Sequence, residues 1–153
     1  MREIWRVCGI AMAGAIVVAS GGAAQPVGPE LTPKLRDLLR QEMASVLVAS
    51  QEILGAVVTG DHATIADRAQ RIHDSFILEQ SLSDQDRKDL MSAVPPEFVE
   101  LDRAFHETSA ELAAAARAGD VERELITFGE MTGACVACHA RFAGDRFPAL
   151  AEE

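Results

Sequence analysis

The last fourteen residues, 140–153, contain no Met, His or Cys. Any metal-binding group formed just before them must therefore find a second ligand upstream or go without one. Cysteine is scarce as well, with Cys8, Cys135 and Cys138 the three in the chain. The last two have the spacing of a redox-active disulfide, but that chemistry calls for a βαβ setting. No segment shows the two-residue apolar alternation of a strand. Positive charge is also short: 14 Lys and Arg against 24 Asp and Glu give a net charge of −10. An acidic surface argues against nucleic acid as a partner and favours a basic patch on any protein that docks. Internal repeats and low-complexity stretches are missing beyond the N-terminal leader.

What is present begins with an address. Arg2 and Arg6 precede an apolar run, Val7 to Ala19, and Gly22-Ala23-Ala24 forms a small-residue cleavage site before Gln25. This is the layout of a bacterial-type secretory signal. The run is borderline for a membrane span, which takes about 17 apolar residues or more, and it has no basic stop-transfer flank. Residues 1–24 therefore read as a cleaved signal. Residues 25–153 read as a single periplasmic domain, free of the membrane once the signal is removed. Cys8 would leave with the signal.

Helix signals dominate the rest. Leu35, Leu38/Leu39, Met43, Val46/Leu47, Ile53/Leu54 and Val57 recur every three or four positions, an amphipathic helix. Gly60 stops it and Asp61 caps a second helix bearing Ile65, Ala69, Ile72 and Phe76. Ser81 to Met91 reads as a connection holding one short helical turn. The Pro95-Pro96 pair then opens a third helix, to about Ala118, with Phe98, Leu101, Phe105, Leu112 and Ala116 on one side. Gly119-Asp120 repeats the stop-and-cap pattern. The fourth helix carries Val121, Leu125, Phe128, Thr132, Cys135, His139 and Phe142, a bundle seam. The fold class expected is all-α, an antiparallel up-down-up-down four-helix bundle.

Cys135-Val136-Ala137-Cys138-His139 is the C-x-x-C-H pattern by which one haem c is attached covalently, two thiols adding to the haem vinyls and the histidine binding iron. A zinc site would need two more ligands at suitable spacing, and His62, His73 and His106 are scattered. Haem is the cofactor expected, held by Cys135 and Cys138, with His139 as the proximal iron ligand.

A four-helix bundle with C-V-A-C-H near its end and Phe142 three residues after the histidine resembles the cytochrome c′ family, the class II c-type cytochromes. Leu39-Arg40-Gln41-Glu42-Met43 is similar to that family's first helix. Phe105, the Leu112 to Ala116 run and Gly119-Asp120 are similar to its third helix and following turn. The resemblance covers roughly residues 31 to 147. It implies a sixth iron position that is empty, capped by an apolar residue of the first helix, or filled by a methionine from it. A basic residue commonly follows the proximal histidine by four positions in the family. Here that position is Ala143, flanked by Arg141 and Arg146.

At about 1.5 Å per residue, Met43 lies about 17 Å from the pole where the fourth helix ends and His139 about 6 Å, an offset a haem spans. His73 and His106 come at about 10 and 13 Å, while His62 sits at the opposite pole. Met43 falls within about 40° of its stripe centre at 100° per residue. It is thus the first candidate for the sixth ligand, with His73 and His106 behind it and His106 placed at the boundary of its helix. A one-residue slip in the first-helix match brings Leu39 or Glu42 to the pocket instead. The function expected is periplasmic electron carriage to redox partner proteins. The alternative is a five-coordinate haem protein binding a small gas, nitric oxide or carbon monoxide. Neither is an enzyme. Leu47, Val48 and Val58 widen the first helix's apolar face, compatible with a homodimer or with a broad core.

Overall fold

The computed structural model describes residues 24–75 and 82–151. The expected signal, apart from Ala24, and Phe76 lie outside the described residues. A 3-10 turn at Gly28–Glu30 leads into five α-helices: α1 Pro33–Thr59, α2 His62–Asp74, α3 Asp84–Ala93, α4 Pro96–Ala118 and α5 Val121–Phe142. Among the described residues there is no strand. The fold is all-α, as the periodicity predicts.

Local chemistry sets each boundary. Thr32 caps α1 by accepting the Leu35 N–H, and Pro33 fills the first helical position, where an N–H would have had no partner. Gly60 ends α1 in the left-handed region at φ +73°. Its N–H reaches Val57 O and that of Asp61 reaches Ala56 O, which closes the last turn. Asp61 then accepts the Thr64 N–H to start α2. Gly119, at φ +66°, and Asp120 repeat the same bonds between α4 and α5. The connection from Ser81 holds more than one turn. Ser83 and Asp86 form a reciprocal capping box that starts the ten-residue α3, and Lys34 on α1 binds Asp86 at 2.5 Å.

The chain runs up and down four times. α1 packs on α2, α2 on α4 and α4 on α5, while α1 and α5 are not among the closely packed pairs. The leader spans that fourth side at one pole. Gln25 N–H reaches Arg141 O at 2.6 Å, Val27 N–H reaches Phe142 O at 3.0 Å, and Arg36 of α1 binds Gly28 O at 2.8 Å. Two apolar clusters fill the interior. One, at the leader pole, gathers Val27, Leu31, Leu35, Val94, Phe98 and Phe142, with Leu39, Leu101 and Cys138 against it. The other holds Val46, Ile53, Ile65, Ile72, Leu112 and Met131.

The seams run one residue away from the expected ones in places. The inward positions of α1 are Leu35, Leu39, Glu42, Val46, Ala49, Ile53 and Ala56, alternating by four and three as in a heptad seam. Glu42 is 1 % exposed, and Met43 lies outside that seam at 36 %. On α5 the buried residues are Glu124, Thr127, Met131 and Phe142, and the expected Val121 and Leu125 are exposed. The cause is the same in both helices: polar residues occupy core positions. Glu124 is buried against His62, Oε1 to Nδ1 at 2.7 Å, at the pole opposite the leader. A search for apolar stripes passes over such positions and settles on the neighbouring one.

Candidate cofactor site

The last two turns of α5 carry the attachment motif. Cys135 and Cys138 stand one turn apart on one side of the helix, both half-buried free thiols. Burial raises both thiol pKa values. At Cys138 burial comes first, then the charges of Asp102 and Cys135, and together they push it up to about 11. Neither thiol has the lowered pKa on which a redox-active pair relies. Cys138 packs against the leader-pole cluster, where Phe98 and Phe142 meet edge to face at 5.5 Å. An apolar wall beside two free thiols suits a large flat macrocycle fixed by thioethers.

His139 is half-buried, and its pKa is lowered, first by burial and then by the charge of Arg146. A depressed value keeps the imidazole neutral near pH 7, the form that binds a metal. Its ring stacks on Phe147, centroids 4.5 Å apart and planes 13° from parallel. Arg141 is engaged elsewhere, with Nη2 at 2.5 Å from Glu97 Oε2 and the guanidinium over the Phe142 ring. The donor set and its surroundings fit a haem.

Next to this leader-pole cluster along the bundle lies a polar layer. Along α1, Glu42 separates Leu35 and Leu39 from Val46. Along α4, His106 separates Phe98 and Leu101 from Leu112. His106 is 1 % exposed, so it sits inside the bundle and not at its boundary as the sequence suggests. Its Nδ1–H donates to Ile72 O at 2.7 Å. Its Nε2 faces Glu42 Oε1 at 3.7 Å and Asp102 Oδ1 at 3.9 Å. His73, half-buried, donates from Nδ1 to His106 O at 3.1 Å. The two histidines thus clamp α2 and α4 by each donating to a carbonyl on the other helix.

Cys135, Cys138 and His139 lie on the last two turns of α5. Met43 is not brought inward; the slip by one residue places Glu42 there, and Leu39, half-buried, packs against the leader-pole cluster. His73 and His106 are each committed at Nδ1 to a backbone carbonyl. Two residues escaped the sequence reading. Asp102 was legible as one turn before His106. Phe147 carried no signal beyond its aromatic character.

The family model described as Cytochrome C' matches residues 39–143, more than half of the chain and inclusive of the whole C-x-x-C-H motif. No curated protein and no solved structure matches.

Proposed function

The chain belongs to the cytochrome c′ family of haem-binding proteins, and on that premise we propose that it binds one haem c whose sixth iron face is left to small neutral gases. Cys135 and Cys138 hold the macrocycle by thioethers, and His139 supplies the proximal nitrogen. The haem supplies an iron able to take a sixth ligand or to exchange one electron. The chain's own residues decide which use is favoured. Leu35, Leu39, Phe98 and Leu101 belong to the apolar cluster that Cys138 borders. Apolar side chains offer no donor to a polarised ligand, so nitric oxide and carbon monoxide are favoured over oxygen.

One observation carries this reading. The methionine on which electron carriage chiefly rested, Met43, stands on the outer side of α1 at 36 % exposure. Electron carriage to a protein partner stays the second reading, supported by the acidic surface, which suits a basic docking patch. The N-terminal layout supports a periplasmic location for either. The outer stripe of α1, Met43, Leu47, Leu54 and Val58, is exposed and is the surface we assign to pairing of two copies.

The test is to mix the reduced holoprotein with carbon monoxide and follow the Soret band. We expect a shift completed within the mixing time course of an open site and unaltered in Met43→Leu. A band that ignores carbon monoxide in the natural protein and responds in Met43→Leu would return Met43 to the iron.

A further inference from the structure

The short segment after α5 is built around one aromatic contact. Ala143 ends the helix with its N–H on His139 O at 3.0 Å. The N–H groups of Arg146 and Phe147 both return to Ala143 O, at 2.9 and 3.0 Å, and Leu150 N–H returns to Phe147 O at 2.9 Å. The backbone therefore coils back on the end of α5. Gly144 sits in a tight place: a Cβ there would come within 3.2 Å of Ala151 Cβ and 3.6 Å of Ala24 Cβ. The segment is pressed on the leader, and the leader is itself bonded to α5 at Arg141 O and Phe142 O. Phe147, 40 % exposed, is held by this frame with its ring flat on the imidazole of His139.

Metal-binding histidines are ordinarily oriented by a hydrogen bond from the ring nitrogen remote from the metal to a carboxylate, a carbonyl or water. Among the described residues no hydrogen bond reaches the His139 ring. The contact on that ring is the stack, and a nearly parallel aromatic face opposes rotation of the imidazole plane without drawing on its proton. We propose that Phe147 is the positioning residue of the proximal ligand, fixing the plane of the His139 imidazole by stacking in place of a hydrogen-bonded partner. This rests on His139 being the iron ligand. The stack leaves the ligand's basicity unchanged, whereas a carboxylate partner would raise it. Phe147 acts on orientation alone.

In a ferric haem the plane of the axial imidazole sets how unpaired spin spreads over the macrocycle, so the order and spread of the haem-methyl proton shifts report that plane. The experiment records these shifts by NMR on the holoprotein for the natural chain, Phe147→Ala, Phe147→Leu and Phe147→Trp, with helical circular dichroism beside each. In Phe147→Ala and Phe147→Leu we expect a changed order and a narrower spread, with helix content retained. In Phe147→Trp, which restores a flat face, we expect the natural order. Unchanged shifts in Phe147→Leu would overturn the proposal, because bulk without a flat face would then suffice. A Trp variant that behaves like the Leu variant would overturn it too. His139→Ala separates the two claims: if that variant keeps the natural haem spectrum, His139 is not the ligand, whatever the Phe147 series shows.

Discussion

Substituting Glu42 tests the polar layer between the two apolar clusters. Its side chain is almost wholly buried, with Oε1 3.7 Å from His106 Nε2 across the centre of the bundle. Removing one partner of a buried pair leaves the other desolvated and costs about 3–5 kcal/mol. At roughly 4 °C per kcal/mol for a domain of this size, Glu42→Ala should lower Tm by about 12–20 °C. Replacing both partners by apolar residues of similar volume is often close to neutral. Glu42→Leu with His106→Leu joins the two apolar clusters into one. Ile72 O, which loses the His106 donor, keeps the Ser75 N–H and hydroxyl. Asp102, whose side chain is 26 % exposed, can turn to solvent. The double variant should therefore lie within about 1–2 kcal/mol of the natural protein; with Glu42→Leu and His106→Leu alone each costing about 3–5 kcal/mol, the coupling in that double-mutant cycle is about 4 kcal/mol or more. The assay is guanidinium unfolding of these holoproteins, Glu42→Ala included, followed by circular dichroism. A Glu42→Ala cost below about 1 kcal/mol, or a coupling near zero, would refute the reasoning.

Three further outcomes follow from other parts of the molecule. Asp86 has its pKa lowered to about 2, first by Lys34 and then by the Ser83 side chain and backbone. Its ionised form is favoured in the folded state, so its contribution is full above the unfolded value near 3.8 and fades as pH falls toward 2. The Tm difference between the natural protein and Asp86→Asn should thus be present at pH 7 and vanish by about pH 2; a constant difference would contradict it. Gly119→Ala places a side chain at φ +66° and should cost about 1–2 kcal/mol in thermal unfolding, with no change in the haem spectrum. Leu47→Glu with Val58→Glu puts charge on the outer stripe of α1, where the residues are 58 % and 79 % exposed. Sedimentation should show the natural chain as a dimer and the variant as a folded monomer, and a monomeric natural chain would remove the stripe as an interface.

The sequence made some of this structure legible and hid the rest for physical reasons. Helix ends were readable because glycine in the left-handed region and a capping Asp leave a two-residue signature, at Gly60-Asp61 and again at Gly119-Asp120. The α3 helix was read as a single turn because its signals are polar, the Ser83 and Asp86 capping box, and none of its residues is fully buried. Cys135, Cys138 and His139 stand out in the sequence because haem attachment requires that spacing. Met43 and His106 were misplaced for one shared reason. Polar side chains occupy core positions inside the bundle, Glu42 facing His106 and Glu124 bonded to His62, and apolar periodicity cannot register them. Phe147 lies outside any periodic element, and only the return of the chain onto α5 brings it to His139.

The central claim is that no side chain of this protein fills the sixth position of its iron. The optical and EPR spectra of the ferric and ferrous holoprotein, recorded before any gas is added, test it most directly. The account predicts high-spin iron in both states. A low-spin ferric spectrum with a sulfur-to-iron charge-transfer band, lost in Met43→Leu, would contradict it and make electron carriage the function.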